Sequence, residues 1–305
     1  MKKKFELANL SKNLLYCVCF SICALNLTAC DDDDENGTQG NGPAPIGIPS
    51  SVIDGVRATS MSGVDVTYNE DGTIKEAEVD GNTLVFNYAS SRAIKVDPIR
   101  SLISITSSER ESERWIASDF AFNTSGFVTA YKLKYTDPDF REEMNIAYTF
   151  NYNADGQMQK ISMKVDGKDD EGSYSESGEI NYTYNNKVLE KIEAKSKNIT
   201  CSQTYEYTQA IKNTYNAMPL LLLPEALASD DCVFNVFAIT GYLGNAGANL
   251  PTAMTIKNTD LEDPSENSTE RYNLSYTLNE NKAISSYTLS GYGETMTFPC
   301  DWTNF

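Results

Sequence analysis

The sequence predicts an all-β fold, a curved antiparallel meander sheet built from repeated hairpins, with one partly helical hydrophobic insert. Three observations carry that reading. A short turn segment recurs along the chain. The stretches beside it alternate apolar and polar residues with a period of two, which gives a strand one buried and one wet face. A single stretch, Pro219–Gly244, abandons that alternation.

The recurring segment is an aromatic residue, then Asn, then a polar or Gly turn, then an apolar strand. Its copies are Tyr68-Asn69-Glu70-Asp71-Gly72, Phe122-Asn123-Thr124-Ser125-Gly126 and Tyr152-Asn153-Ala154-Asp155-Gly156. A shortened copy runs from Tyr184 to Val188 and a degenerate one from Leu278 to Ile284. Asn at the first position bonds its own backbone two residues on, and Gly at the fourth accepts positive φ. A type I turn closed by a glycine bulge then joins two antiparallel strands. Ile146, Tyr148, Phe150 and Tyr152 alternate with Ala147, Thr149 and Asn151, and Leu274, Tyr276 and Leu278 alternate with Ser275 and Thr277.

Connections alternate in length. Tight turns at 69–72, 123–126, 153–156 and 279–282 are followed by polar stretches at 136–145, 166–179 and 258–271, read as long loops. In an up-and-down meander those three share one end of the sheet. They hold 15 acidic residues against three basic ones, Arg141, Lys168 and Arg271, which predicts an acidic rim. The copies are spaced by 54, 30, 32 and 94 residues, an irregularity that argues against a closed shell or a regular solenoid.

The insert, about residues 216–250, has Leu220–Leu223, then Pro224–Ala228, then Val233–Tyr242. Helical turns are expected near 224–230 and 232–242, stopped by Gly241, Gly244 and Gly247. A hydrophobic insert of this size is expected to cover an open face of the sheet.

Residues 1–29 read as a targeting segment. Lys2, Lys3, Lys4 and Lys12 precede an apolar run, Leu14–Leu27. That run is shorter than the roughly 20 residues a spanning helix needs, so it is a signal-peptide core. It ends in Leu27-Thr28-Ala29-Cys30, which resembles the lipobox of bacterial lipoproteins. The resemblance implies cleavage before Cys30 and acylation of that residue. Acyl chains anchor a protein because each buried CH₂ contributes about 0.8 kcal/mol. Asp31-Asp32-Asp33-Asp34-Glu35 then reads as a solvated, self-repelling tether. It also resembles the export signal of Bacteroidetes lipoproteins sent to the outer face of the outer membrane. Asn36–Ser50 is a Gly/Pro-rich spacer, and residues 51–305 remain for one β-rich domain.

Without residues 1–29 the chain has 21 basic and 42 acidic residues, a net charge of −21. That balance excludes nucleic acid as a main partner, because phosphate binding needs clustered Lys and Arg. The chain has no histidine, which excludes Ser-His, Cys-His and His-metal sites made from this chain alone. Cys201, Cys232 and Cys300 remain after the signal and the lipidated Cys30 are set aside, enough for one disulfide with one thiol over. The sequence does not choose the pair.

No nucleophile elbow, phosphate-binding loop or dinucleotide fingerprint is present. No cofactor is expected. Calcium has one candidate loop, in which Asp166, Asp169, Asp170 and Glu171 supply oxygens without the EF-hand spacing. Paired carboxylates hydrolyse glycosides without histidine, but nothing singles out a pair here. Aromatic residues at alternate strand positions are ordinarily core. Trp115, Tyr292 and Trp302 fall near strand or chain ends and are the candidate exposed ligand-binding rings.

The Tyr-Asn-x-Asp-Gly copies resemble the YD-type hairpin repeats of secreted bacterial proteins. With the lipobox, the acidic run and the Gly241–Pro251 stretch, the layout is similar to an uncharacterised family of Bacteroidetes surface lipoproteins. The resemblance implies a lipid-anchored, surface-exposed place on the outer membrane and no established activity. The expected role is a non-enzymatic binding or interaction module with a glycan or protein partner. The alternatives are an accessory subunit of an outer-membrane complex and a carboxylate-dependent glycan hydrolase.

Overall fold

A computed structural model describes residues 48–79, 82–86, 102–104, 114–137, 142–169, 172–197, 199–217 and 232–304. The first strands are β1 (Val56–Met61), β2 (Val64–Tyr68), β3 (Ile74–Val79), β4 (Asn82–Val85) and β5 (Leu102–Ser104). Longer ones follow: β6 (Arg114–Phe122), β7 (Val128–Asp137), β8 (Glu142–Tyr152), β9 (Met158–Asp169), β10 (Gly172–Asn185), β11 (Val188–Lys195) and β12 (Ile199–Glu206). After the insert come β15 (Ala253–Asp260), β16 (Ser268–Leu278), β17 (Ile284–Gly291) and β18 (Glu294–Asn304). All are antiparallel to their neighbours, so the predicted all-β meander is the observed fold.

The turn chemistry is as the residues require. Asn69, Asn123, Asn153 and Asn279 each accept a backbone N–H from the residue three places on, at 2.9–3.0 Å. The side-chain oxygens of Asn123, Asn153 and Asn279 also accept N–H groups from two and four places on. Gly72, Gly126 and Gly156 sit at φ +79°, +80° and +73°. In the degenerate copy Lys282 takes that place at φ +66°, strained for a side chain. Each of these four hairpins carries a register shift beside the turn, the expected bulge. The leading tyrosines tie hairpins together: the Tyr68 hydroxyl donates to the Ala58 carbonyl at 2.6 Å and Tyr152 to Val128 at 2.7 Å.

Two expectations about the strands are corrected. The sheet closes: β1 pairs with β2 and also with β18, so the strand order forms a closed barrel. Closure removes both sheet edges, and the uneven spacing of the turn copies does not prevent it. Among the described residues, β5 meets β4 and β6 through two residue pairs each, as β1 meets β2. Second, the polar stretches read as long loops are largely strand. β9 runs on to Asp169 and β10 starts at Gly172, while β7 ends at Asp137 and β8 starts at Glu142. Only 261–267 remains between β15 and β16, with a short 3-10 turn capped by Asp263. Polar residues alternating outward satisfy a strand as well as a loop, and cross-strand pairs such as Lys134–Glu143 at 2.6 Å hold them. The Tyr174 ring lies over Gly167 on the paired strand, where a β-carbon would collide with it.

Because the strands alternate in direction, the Asn-containing turns share one end of the barrel, called here the turn end. The three acidic stretches share the other. The insert leaves β12 at the turn end and returns there. It contains a two-stranded sheet, β13 (Ile211–Lys212) with β14 (Asn249–Leu250), and one helix, α1 (Cys232–Ile239). The helical turn expected near 224–230 lies outside the described residues.

Every residue of α1 is buried. The insert therefore does not cover an open face: it plugs the turn end and fills the interior. A helix apolar all round is stable only when enclosed. Phe237 meets Phe120 at 5.6 Å, Phe122 at 6.3 Å and Tyr131 at 6.2 Å, and Phe234 meets Phe150 at 6.3 Å. Backbone bonds latch the plug to the turns: Asn245 N–H to Gly156 at 2.8 Å, Ala248 N–H to Lys187 at 2.9 Å and Val128 N–H to Tyr242 at 2.9 Å.

No disulfide forms among the described residues, because Cys201, Cys232 and Cys300 are separate buried thiols. Burial pushes the Cys300 thiol up to about 12, with the Asp301 carboxylate adding to it.

Phe237→Ala empties the centre of the interior. It is expected to cost about 3–5 kcal/mol in urea unfolding, against less than about 0.5 kcal/mol for Leu261→Ala on the surface.

Candidate functional site

The alternation of each strand sorts its residues to one side or the other. On β10, Glu179, Asn181, Thr183 and Asn185 are exposed while Gly178 and Ile180 are buried. On β16, Arg271, Asn273, Ser275 and Thr277 are exposed while Leu274 is buried. Outward lysines are held by carboxylates: Lys160 to Glu179 at 2.6 Å, Lys132 to Asp119 at 2.9 Å and Lys191 to Glu193 at 2.6 Å. Such exposed pairs add little stability, but they mark a wall built for water. A membrane-spanning barrel has the opposite arrangement, an outward apolar band about 25 Å tall around a polar interior.

The interior is apolar with a lining of phenols. Burial raises the Tyr152, Tyr182, Tyr184, Tyr205, Tyr276 and Tyr287 hydroxyls above the ordinary tyrosine value. These groups stay protonated at physiological pH. One charge is buried with them. Arg57 is 2% exposed, donates Nη1–H to the Gly72 carbonyl and lies 5.3 Å from the Tyr68 ring centre. Its Nε and Nη2 meet no acceptor among the described residues. Burial pushes the nearby Tyr242 hydroxyl up to about 12, with the Arg57 charge pulling the other way.

The candidate rings fall at opposite ends. Tyr292, in the β17–β18 turn at the acidic end, is 69% exposed. Its hydroxyl donates to the Thr269 carbonyl at 2.7 Å and its ring lies 6.0 Å from Tyr272. Trp302 is half-buried at the turn end and donates Nε1–H to the Ile284 carbonyl at 2.6 Å. It stands 6.2 Å from Tyr215 of the insert, and both line a shallow depression with Lys212, Asn213, Thr214 and Lys282. The sequence pointed to Trp302 but not to Tyr215, Lys212 or Lys282, which only the return of the insert brings to it. The backbone of Trp115 is in β6, paired with Ile103 and Tyr135, and its side chain lies outside the described residues.

Of the calcium candidates, Asp166 faces outward on β9. It accepts from the Ser175 hydroxyl at 2.6 Å and pairs with Lys164 at 2.9 Å. Those two bonds, the hydroxyl's first, hold its carboxyl below the usual range. Asp169 ends β9, and its side chain lies outside the described residues, as do Asp170 and Glu171. Among the described residues no cluster of three or more His, Cys, Asp or Glu is placed to hold a metal ion. No helix among them is long and apolar enough to cross a membrane.

No protein-family model matches the chain, and no curated protein does. Solved structures share its architecture. A porin-like protein from Bacteroides vulgatus ATCC 8482 is 10% identical at a TM-score of 0.50, covering 83% of this chain and 98% of its own. A porin-like protein from Bacteroides uniformis ATCC 8492 is 15% identical at a TM-score of 0.47, covering 86% and 100%. At such identities the likeness is one of fold.

Two measurements test the description of the interior. Gly244 sits at φ +90°, and a β-carbon there would press on the Gly156 carbonyl and the Tyr152 ring. Gly244→Ala is expected to cost about 2–4 kcal/mol in urea unfolding, while Gly293→Ala, at φ +82° with open space, costs about 1 kcal/mol. The buried phenols set an alkaline limit. Below about pH 10 both folded and unfolded tyrosines are protonated and their contribution to stability is intact. Above it the unfolded chain ionises and the folded one does not, so stability falls as pH rises through about 10 to 12 and beyond. The tyrosinate absorbance of the buried rings should then rise in a cooperative step together with loss of structure.

Proposed function

We propose that this chain is a lipoprotein held at the outer membrane through acyl chains on Cys30, and that its barrel is a non-enzymatic binding or interaction module. The observation that carries this reading is the polarity of the barrel. Strands β10 and β16 turn polar residues outward, and α1, buried along its whole length, packs inside the ring. Such a wall favours water over lipid, and α1 stands in the bore between the described strands. The porin-like fold of the Bacteroides vulgatus protein supports an outer-membrane-associated place. The acidic run Asp31–Glu35 behind Cys30 supports export to the outer surface. A glycan or a protein is the expected partner, recognised by exposed polar and aromatic groups without covalent chemistry.

In cells carrying the full chain, the protein is expected to float with outer-membrane vesicles and to be trimmed by protease added outside. Cys30→Ser should move it to the soluble fraction with its fold intact. Retention of the Cys30→Ser protein in the membrane, with ion conductance in planar bilayers, would replace this reading with a spanning pore.

A further inference from the structure

We propose that the depression where the insert returns to Trp302 is a saccharide site, which takes an acidic pyranose with its carboxylate between Lys212 and Lys282. The inference rests on the binding-module reading above and names a ligand class for it. Exposure alone does not choose the place, since Tyr292 at the acidic end is 69% exposed. The polar groups on the strand beside Tyr292 are already engaged. Arg271 is held by Glu206 at 2.8 and 3.0 Å, and the Tyr272 hydroxyl donates to Glu270.

The depression differs in its chemistry. Trp302, Tyr215, Lys212 and Lys282 share its lining. No carboxylate among the described residues lines it, although carboxylates outnumber cations 43 to 25 in the chain. Both lysines are exposed and make no ion pair with a described residue. Lys282 is kept there against its backbone: it stands at φ +66° in the place that Gly72, Gly126 and Gly156 take in the sister turns. Lys187 also has a positive φ, +67°, but its ammonium is engaged, paired with Asp155 at 2.7 Å. The charge of Lys282 is left for a ligand.

The floor is set in advance. Asn213 ties down the loop that carries Tyr215, donating to the Ala217 and Gly247 carbonyls at 2.9 and 3.1 Å and accepting from the Ala217 N–H at 2.8 Å. Trp302 is fixed through its own bond to Ile284. Groups ordered beforehand lose little freedom on binding. A pyranose can lay its C–H face on such rings, and a carboxylate accepts charge-assisted hydrogen bonds from flanking ammoniums. A peptide C-terminus would need backbone N–H donors instead, and the Ala217 N–H is already given to Asn213. Asp301, next to Trp302 in sequence, is exposed on the other side of the strand, and Glu280 is exposed in the turn of Lys282. At physiological ionic strength charges beyond about 8 Å are screened, so the two ammoniums outweigh the distant carboxylates.

The test uses the full chain with Trp115→Phe, which leaves Trp302 as the sole tryptophan, in a detergent without a sugar headgroup. Trp302 emission is titrated with tetragalacturonate and with its methyl ester, which keeps the rings and removes the charge. The acid is expected to give a saturable change, and the ester to bind about tenfold more weakly. Lys282→Gly, which restores the residue of the sister turns, should weaken binding of the acid about tenfold with a urea midpoint no lower than before. Lys282→Arg should keep the affinity. A lysine with a merely structural role would move the midpoint and not the affinity. No saturable change, equal binding of the ester, or full affinity in Lys282→Gly combined with Lys212→Gln overturns the site. Each of those results leaves the binding-module reading standing, because it speaks only for this depression. Cleavage of the tetrasaccharide removes the non-enzymatic reading and the proposed site together.

Discussion

The packing of α1 against the inward faces of the strands is the constraint on which the rest depends. A wide ring of strands cannot fill its centre with side chains from the wall alone. Phe234 and Phe237 supply the missing volume, and the rings of Phe120, Phe122, Tyr131 and Phe150 close around them. Once the centre is apolar, the period-two alternation forces the other face of each strand into water. The wet wall, the closed order of strands and the plug at the turn end then belong to one solution.

Much of this was legible in the residues. Asn followed by Gly three places on states a turn through its own hydrogen bonding, and Ile146, Tyr148 and Phe150 state a buried face by spacing. Closure was not legible, because the pairing of Val56 with Asn304 joins the first strand to the last and no local pattern records it. The extent of β9 and β10 was hidden for another reason. Ser173, Ser175 and Ser177 are as polar as a loop, and only the rescue of Gly167 by Tyr174 across the ladder shows them to be strand. The position of α1 was half legible: its composition announces burial, but burial against a face and burial inside a ring read alike in sequence. Tyr215 and Lys212 came to Trp302 by tertiary return alone.

The two ends are built differently, and that asymmetry organises the functional reading. At the turn end, backbone bonds lock the insert to three successive hairpins and an arginine is enclosed with one carbonyl partner. At the other end the strands run on past the core, with carboxylates outward and Tyr292 at a turn tip. The interior between them holds buried phenols and buried thiols.

The β1–β18 seam also has a kinetic meaning. The strand that emerges first must wait for the strand made last, so the closing contact spans nearly the whole chain. Loop closure of that length is slow, and until it occurs two sheet edges and the apolar bore stand open. A chain of this design has a vulnerable interval before the seam forms. Its large excess of carboxylates, which gives the finished barrel no obvious ligand, would keep unfinished copies apart during that interval.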